Sequence, residues 1–219
     1  MADQPKSDRY FDVMSYHLER IPKNEQEEVL TEGYLLALEG RASKVYAVLF
    51  GGEGMLSNQL GGALEHDLAK IRKHYEVNKV DYETLDSMVK NEAAKLGKQK
   101  CLAEKDVAMK GLLWSTRTLN FICTLIEKIL EAGGDTVRCA RDTYAETLAP
   151  YHGWMGSTTF NGALGWIADE EKLLELFEYP TKEEFRTSGQ EFVSHLRPLI
   201  KQNFEILDKY DVHFTYKVL

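Results

Sequence analysis

The feature that most constrains the fold is a long apolar helical stretch in the middle of the chain, from about Leu102 to Ala132. Its apolar residues recur at helical spacing and cover more than half of the helix circumference: Leu112, Leu113, Leu119, Ile122, Leu125, Ile126 and Ile129. A helix that is apolar on most sides must be surrounded by other elements. The stretch therefore predicts a central helix, ended by the two glycines at 133 and 134.

The rest of the chain is also dominated by helical patterns. We expect helices at about 10–18, 27–50, 64–75, 84–96, 136–167 (a helix at 136–148 that continues after Pro150), 173–177 and 181–207. Pro198 predicts an interruption of the last one. The tail, residues 211–219, is β-branched and aromatic and is expected to lie extended against the body. Seven or eight helices in one domain predict an all-α, layered architecture.

Composition and charge narrow the functional classes. Of the 219 residues, 43% are hydrophobic, which is enough for a substantial core, and the net charge is −8. This charge argues against nucleic acid as a partner and against a broad basic patch for anionic membranes. The three cysteines have no metal spacing and predict free thiols in a reducing compartment. We expect no signal peptide and no membrane span, and a cytoplasmic monomer.

The stretch Leu148-Ala-Pro-Tyr-His-Gly-Trp-Met155 combines residues with strong local preferences. Pro150 suits the first turn of a helix, which would place His152 on that turn. Phe160 and Leu164 would then share one apolar face with His152. Two interpretations stay open from this stretch alone: a core histidine bonded to a backbone carbonyl, or a functional histidine at the mouth of an apolar surface.

Two other helices carry polar or aromatic residues beside the core. In the helix at 64–75, a core stripe is accompanied by a polar stripe one position earlier, which comprises Ala63, Asp67, Lys70 and His74. Asp67 and Lys70 are close enough for a solvated ion pair or for a shared ligand. On the central helix, Lys110 and Trp114 share one face. Trp114 is open to interpretation as a core residue or as a flat platform for a ligand.

The enzyme motifs with recognisable mechanics do not occur in the sequence. We find no glycine-rich phosphate loop, no nucleophile elbow and no His-Glu-x-x-His. His66 and His74 lie two helical turns apart, so a zinc site there would need a third ligand from elsewhere. We therefore expect no catalytic activity, no cofactor and no resident metal.

Four motifs in a fixed order resemble the glycolipid transfer protein family. They are Asp67-Leu-Ala-Lys70-Ile-Arg, Leu113-Trp114-Ser-Thr-Arg117, Tyr151-His-Gly-Trp154 and Thr215-Tyr-Lys-Val218. The resemblance covers about residues 28–219, which we expect to form the family's domain, preceded at 1–27 by a polar tail and a short helix. It implies a two-layer helical sandwich that encloses an apolar slot for lipid chains. It also implies a non-enzymatic carrier that transfers a glycosphingolipid between membranes.

The resemblance assigns roles to individual residues. Trp114 would lie under the first sugar ring, Lys70 and Asp67 would bind sugar hydroxyls, and His152 would donate to the ceramide amide carbonyl. Tyr216 is expected near the headgroup. The chain slot would be lined by Leu148, Phe160, Ala163, Leu164 and Val218. Trp154 matches an exposed tryptophan that docks transiently on the membrane surface.

Two positions depart from the family's pattern. The family carries an aspartate one turn before the Asp67 position and an asparagine at that position, whereas this chain has Ala63 and an acid. We expect Asp67 to take over part of the lost acceptor role, because an unpaired buried donor costs about 1–3 kcal/mol. Branches that carry phosphorylated ceramide place arginines at the positions of Lys110 and Trp114. Trp114 therefore favours a neutral sugar headgroup. Lys110 is an additional candidate headgroup contact, and its charge leaves an anionic lipid as an alternative ligand.

Three alternatives remain at the level of sequence. The same pocket would serve a lipid sensor or presenter that does not shuttle its ligand. A degenerate member that lost sugar recognition through Ala63 would bind another amphiphile, such as ceramide-1-phosphate. A metal-dependent hydrolase would use His66, Asp67 and His74.

Overall fold

The computed structural model of the chain describes residues 4–52, 54–132, 134–215 and 217. Within its helices, the side chains at positions 56, 98, 102, 154–156 and 159 lie outside the description. The described chain is built from α-helices, and its extended segments include the isolated bridges Lys23 with Val29 and Leu30 with Thr84. The predicted all-α class is confirmed.

The helices follow one another with short connections. They are α1 (Tyr10–Glu19), α2 (Thr31–Leu38), α3 (Lys44–Leu49), α4 (Met55–Val77), α5 (Leu85–Leu96), α6 (Lys98–Ala103), α7 (Ala108–Ala132), α8 (Thr136–Thr147), a 3-10 turn (Ala149–Tyr151), α9 (Trp154–Leu164), α10 (Glu170–Leu176) and α11 (Lys182–Lys209). None of the described helices is both long enough and apolar enough to cross a bilayer.

Helix α7 is the centre of the helical sandwich. It packs against α4, α11, α8 and α5, and the seven apolar residues that predicted its central position are all buried. On α4, the predicted core stripe of Leu64, Leu68, Ile71 and Tyr75 is buried as well. The polar stripe of α4 therefore lies beside the α4–α7 contact, which fixes where it can meet residues of α7.

Two predicted helices are in fact broken. The stretch at 27–50 is divided into α2 and α3 at Gly40, whose φ of 66° lies in the left-handed region that glycine adopts most easily. The long stretch from 102 to 132 is divided by residues 104–107 into α6 and α7. The new start of α7 is capped from another helix, because the Glu92 carboxylate of α5 accepts hydrogen bonds from the Ala108 and Met109 amides.

The interruption predicted at Pro198 is wrong, because α11 runs without a break from Lys182 to Lys209. Proline removes one backbone hydrogen bond from a helix interior. Here Leu196, Leu199 and Ile200 on either side of it are buried against the core, and this packing maintains the helix.

The two ends of the chain are attached to this body. Helix α1 packs on α11, where the buried Phe11 ring stacks on Phe192 with centroids 5.3 Å apart. The division at residue 27 stays a prediction, and α1 shares the core of the segment that follows. In the tail, Val212 and Phe214 are buried, and the described residues after Asp211 belong to no helix or strand.

Candidate functional site

Helix α7 and helix α4 approach most closely at Gly111. A Cβ atom at this position would lie 2.5 Å from the Asp67 carbonyl oxygen and 3.2 Å from the Lys70 Cβ, so no side chain fits without moving the backbone. Trp114 follows one turn later on α7. The glycine thus allows the polar stripe of α4 to lie directly beside the helix that carries the tryptophan.

Asp67 and Lys70 form an ion pair that is mostly shielded from water. The Lys70 Nζ is 3.0 Å from the Asp67 Oδ1, and the Lys70 and Asp67 side chains are 18% and 14% exposed. Burial raises the pKa of the Asp67 carboxyl, and the Lys70 charge partly opposes this shift. A fully solvated pair is therefore the wrong interpretation, and both side chains remain accessible to a ligand along one edge.

Trp114 and His152 stack in nearly parallel planes. Their ring centroids are 6.0 Å apart and the planes differ by 19°. His152 does not lie on the first turn of a helix, as predicted, but in extended backbone between the 3-10 turn and α9, which begins at Trp154 with Gly153 as its cap. The short 3-10 turn uses Pro150 instead, and this geometry places the imidazole beside the tryptophan.

Among the residues that the structure describes, the hydrogen-bond partner found for the His152 ring is a tyrosine. The Tyr144 hydroxyl lies 3.0 Å from His152 Nδ1. Burial, together with the nearby Arg117 charge, lowers the pKa of His152, which favours the neutral ring. When Nδ1 accepts a hydrogen bond from the hydroxyl group, the ring proton lies on Nε2. This N–H can then donate a hydrogen bond to a ligand carbonyl.

The residues predicted to line a chain slot form one continuous apolar region behind His152. Leu148, Phe160, Ala163 and Leu164 are all buried. The Phe160 ring stacks on Tyr144 at 4.7 Å and meets Phe121 edge-on at 5.4 Å. Because these rings contact one another, an acyl chain that enters here must separate them.

A concave basic surface adjoins Lys70 and is formed by α4 and the segment that precedes α7. It encloses about 470 Å³ and is lined by His66, Ala69, Lys70, Lys73, Lys105 and Asp106. Lys73 pairs with Asp106. Among the residues that the structure describes, no group of three or more His, Cys, Asp or Glu side chains is placed to hold a metal ion.

Some predicted site residues lie outside the described part of the chain, and two others are either buried or face solvent. The side chain of Trp154 and all of Tyr216 and Val218 lie outside the described residues. Lys110 is only 5% exposed, so a headgroup would reach it only after local rearrangement. Ala63 faces solvent one turn before Asp67.

The sequence interpretation missed three aromatic or charged neighbours of the site. Tyr144 orients His152, and the buried Arg117 lies against the rings of Trp114 and Tyr151. Two signals were available: Arg117 and Tyr151 belong to the quoted motifs, and the spacing of three residues between Trp114 and Arg117 puts both side chains on one face of α7.

These features have a counterpart in a known family. A family model described as glycolipid transfer protein (GLTP) matches residues 41–178, more than half of the chain. The chain belongs to the glycolipid transfer protein family. The resemblance inferred from the four motifs is thereby confirmed.

Individual relatives are distant in sequence. Glycolipid transfer protein 2 of Arabidopsis thaliana is 26% identical over 153 residues, which cover 67% of this chain and 66% of that protein, just under two thirds of its length. The glycolipid transfer protein of Aureobasidium melanogenum is 27% identical over 166 residues, which cover 75% of this chain and 76% of the relative.

A solved structure supports the fold. The human ceramide-1-phosphate transfer protein in complex with 12:0 ceramide-1-phosphate superposes with a TM-score of 0.81 at 16% identity, covering 95% of this chain and 100% of the other. At this identity the likeness establishes the shared helical sandwich, and the ligand named there belongs to that protein.

Proposed function

We propose that this protein is a non-enzymatic carrier that binds a glycosphingolipid and transfers it between membranes. The observation that carries the proposal is the stacked pair of Trp114 and His152, which lies directly in front of the apolar region around Phe160. A ligand that fits this junction has a polar headgroup joined to long apolar chains. Each methylene exposed to water costs about 0.8 kcal/mol, so such a lipid moves between bilayers only when its chains are shielded.

We propose that each polar residue of the site binds a different part of the lipid headgroup. The Trp114 face would contact the C–H surface of the first sugar, while Lys70 donates to its hydroxyls and Asp67 accepts from them. His152, with its proton on Nε2, would donate to the ceramide amide carbonyl. Tyr216 is proposed to complete the site, with Lys110 as an additional contact. The ceramide chains would occupy the region of Leu148, Phe160, Ala163, Leu164 and Val218.

Membrane contact is proposed to be brief and mainly apolar. Trp154 is the candidate inferred from the family's pattern, and the structure adds Trp166, whose side chain is 77% exposed just after α9. Tryptophan suits the membrane interface without help from positive charge, which agrees with a net charge of −8. We further propose a cytoplasmic monomer that does not bind nucleic acid.

Ceramide-1-phosphate is the second candidate ligand. The basic surface with Lys73 and Lys105 beside Lys70 favours it, because a phosphate prefers two or more cations. Trp114 favours the neutral sugar, since it offers a flat apolar face where a phosphate would need a charge. A sensor or presenter that uses the same pocket remains the alternative role.

Transfer between vesicles tests the carrier function. Donor vesicles containing fluorescent galactosylceramide, glucosylceramide or ceramide-1-phosphate are mixed with acceptor vesicles, and the rate with protein is compared with the spontaneous rate. We expect transfer of the two glycosylceramides. Binding without transfer would identify a sensor, and a clear preference for the phosphate would overturn the sugar assignment.

The variant His152→Leu connects this activity to the site. It removes the proposed donor to the amide carbonyl, and an unpaired buried carbonyl costs about 1–3 kcal/mol, so transfer should fall about tenfold or more. His195→Leu, on α11 and away from the site, is the matched control. Circular dichroism should show equal helix content in both variants; equal transfer rates would contradict the assigned role.

A further inference from the structure

The buried Arg117 lies where three segments of the chain meet. Its side chain is 2% exposed, and its guanidinium carbon is 4.8 Å from the Trp114 ring centroid and 3.6 Å from that of Tyr151. A guanidinium nitrogen also donates to the backbone carbonyl of Phe214. One side chain thus contacts α7, the 3-10 turn before His152 and the C-terminal segment.

These contacts need the shape of arginine as well as its charge. A planar guanidinium can lie against aromatic rings and at the same time donate in its own plane to a carbonyl. The ammonium of lysine, a compact point charge, cannot reproduce both interactions together. A buried cation is also costly unless its surroundings compensate it, so the three contacts depend on one another.

The C-terminal segment also has anchors that do not involve Arg117. Asp211 adopts a left-handed conformation after α11, and the Val212 amide returns to the Leu207 carbonyl at 2.9 Å. The His213 ring stacks on Phe204 with centroids 4.9 Å apart. The next anchor along the chain is the Phe214 carbonyl, which accepts a hydrogen bond from Arg117.

We propose that Arg117 is a positioning residue that ties the C-terminal segment to Trp114 and to the turn bearing His152. Removal of the guanidinium frees the segment and loosens the Trp114–His152 pair, although Arg117 itself does not need to touch a ligand. The consequence for lipid binding rests on the proposed function, whereas the tie itself is a property of the free protein.

Hydrogen exchange of the free protein tests the tie directly. In Arg117→Met, which keeps the length of the side chain without its charge, amides 213–215 should exchange about tenfold faster than in the wild type. The NMR-measured pKa of His152 should rise, because a nearby positive charge is lost. Arg117→Lys should keep the low His152 pKa and still lose the protection of the segment.

The control is Arg72→Met, which removes a different arginine, paired with Glu32 and Glu39 on the α2–α4 side. It should leave both local readouts unchanged. If Arg117→Met does not fold, Tyr151→Leu takes its place, because it removes one stacking ring and leaves the cation. Unchanged exchange at 213–215 in the folded Arg117 variant, or in Tyr151→Leu when it replaces that variant, would overturn the proposal.

Lipid binding is measured separately, with galactosylceramide in detergent micelles. Arg117→Met should bind it about tenfold more weakly than the wild type, and Arg72→Met should bind it equally well. A wild type that binds no glycolipid, together with faster exchange in Arg117→Met, would refute the proposed function and leave the tie standing. Faster exchange with unchanged affinity would refute the role of the tie in ligand binding.

Discussion

At the scale of single residues, Asp67 is the side chain that we propose compensates for a missing neighbouring acid. Its carboxylate lies on α4 with Lys70 3.0 Å away, and Ala63 occupies the preceding turn, where the family's pattern places an acid. Burial raises its pKa, so the ionised form is held less readily than in water. A ligand that donates hydrogen bonds to this carboxylate would stabilise the charged form.

The charge of Asp67 should therefore matter for affinity more than for folding. Asp67→Asn keeps an acceptor oxygen but loses a charge-assisted hydrogen bond, and galactosylceramide affinity should fall about fivefold to tenfold. Isothermal titration with micellar lipid measures this change. Glu76→Gln, on the same helix and away from the site, is the control. Equal affinities for Asp67→Asn and the wild type would exclude the acceptor role of Asp67. In that case Ala63→Asp should raise the galactosylceramide affinity, because it supplies the acceptor that Asp67 does not provide.

Where the signal lies within one helix, the sequence predicted the placement of the candidate residues, and their role in binding a ligand stays a prediction. Asp67, Lys70 and Trp114 follow from periodicity and motif order, and the structure places them on adjacent helices. The role of Tyr144 was not predictable, because its hydroxyl meets His152 only through the shape of the 3-10 turn. The Phe214 contact of Arg117 joins residues far apart in the chain, and no local pattern encodes it.

At the scale of elements, the start of α7 depends on a residue of another helix. Glu92 on α5 is 3% exposed and accepts from the Ala108 amide at 3.0 Å and from the Met109 amide at 2.6 Å. The first amides of a helix have no partner within it, and a carboxylate there also interacts favourably with the helix dipole. The apolar pattern from 102 to 132 contains no sign of this break, because its cause lies outside the stretch.

Removal of the Glu92 carboxylate should destabilise the whole domain. In Glu92→Ala two buried amides lose their acceptor, and the free energy of unfolding should fall by about 3 kcal/mol, measured by urea denaturation. Lys90→Ala, which changes an exposed side chain on the same helix, should alter it little. If both variants lower the free energy of unfolding by a similar small amount, the first amides of α7 have another hydrogen-bond acceptor.

The same carboxyl predicts a pH dependence with a definite sign. Burial is the main cause that raises the pKa of Glu92 above its usual value of 4.5, and the two amides oppose it in part. The folded protein therefore takes up this proton at a higher pH than the unfolded chain. The contribution of the Glu92 carboxyl to stability is therefore larger below its usual pKa. It declines as the pH rises through the raised pKa of the folded protein. Glu92→Gln should abolish this part of the pH profile.

At the scale of the whole molecule, the surface that meets a bilayer should be apolar rather than cationic. The exposed Trp166 follows α9, and the Ala168 amide bonded to the Leu49 carbonyl at 2.9 Å holds this turn against α3. With a net charge of −8, the protein gains little from anionic lipids. An aromatic ring fixed on a folded turn can enter the interface without a large loss of conformational freedom.

Trp166→Ala should consequently lower vesicle binding and transfer without affecting the lipid site. Partial burial of a large apolar side chain contributes about 1–2 kcal/mol, so sedimentation with neutral vesicles should show about tenfold weaker binding. Affinity for micellar galactosylceramide should stay the same. Val80→Ser changes an equally exposed apolar residue beyond the far end of α4, about 35 Å along that helix, and serves as the control. If both variants bind vesicles equally well, Trp166 is not part of the membrane-facing surface, and other residues around the Trp114–His152 pair must make the contact.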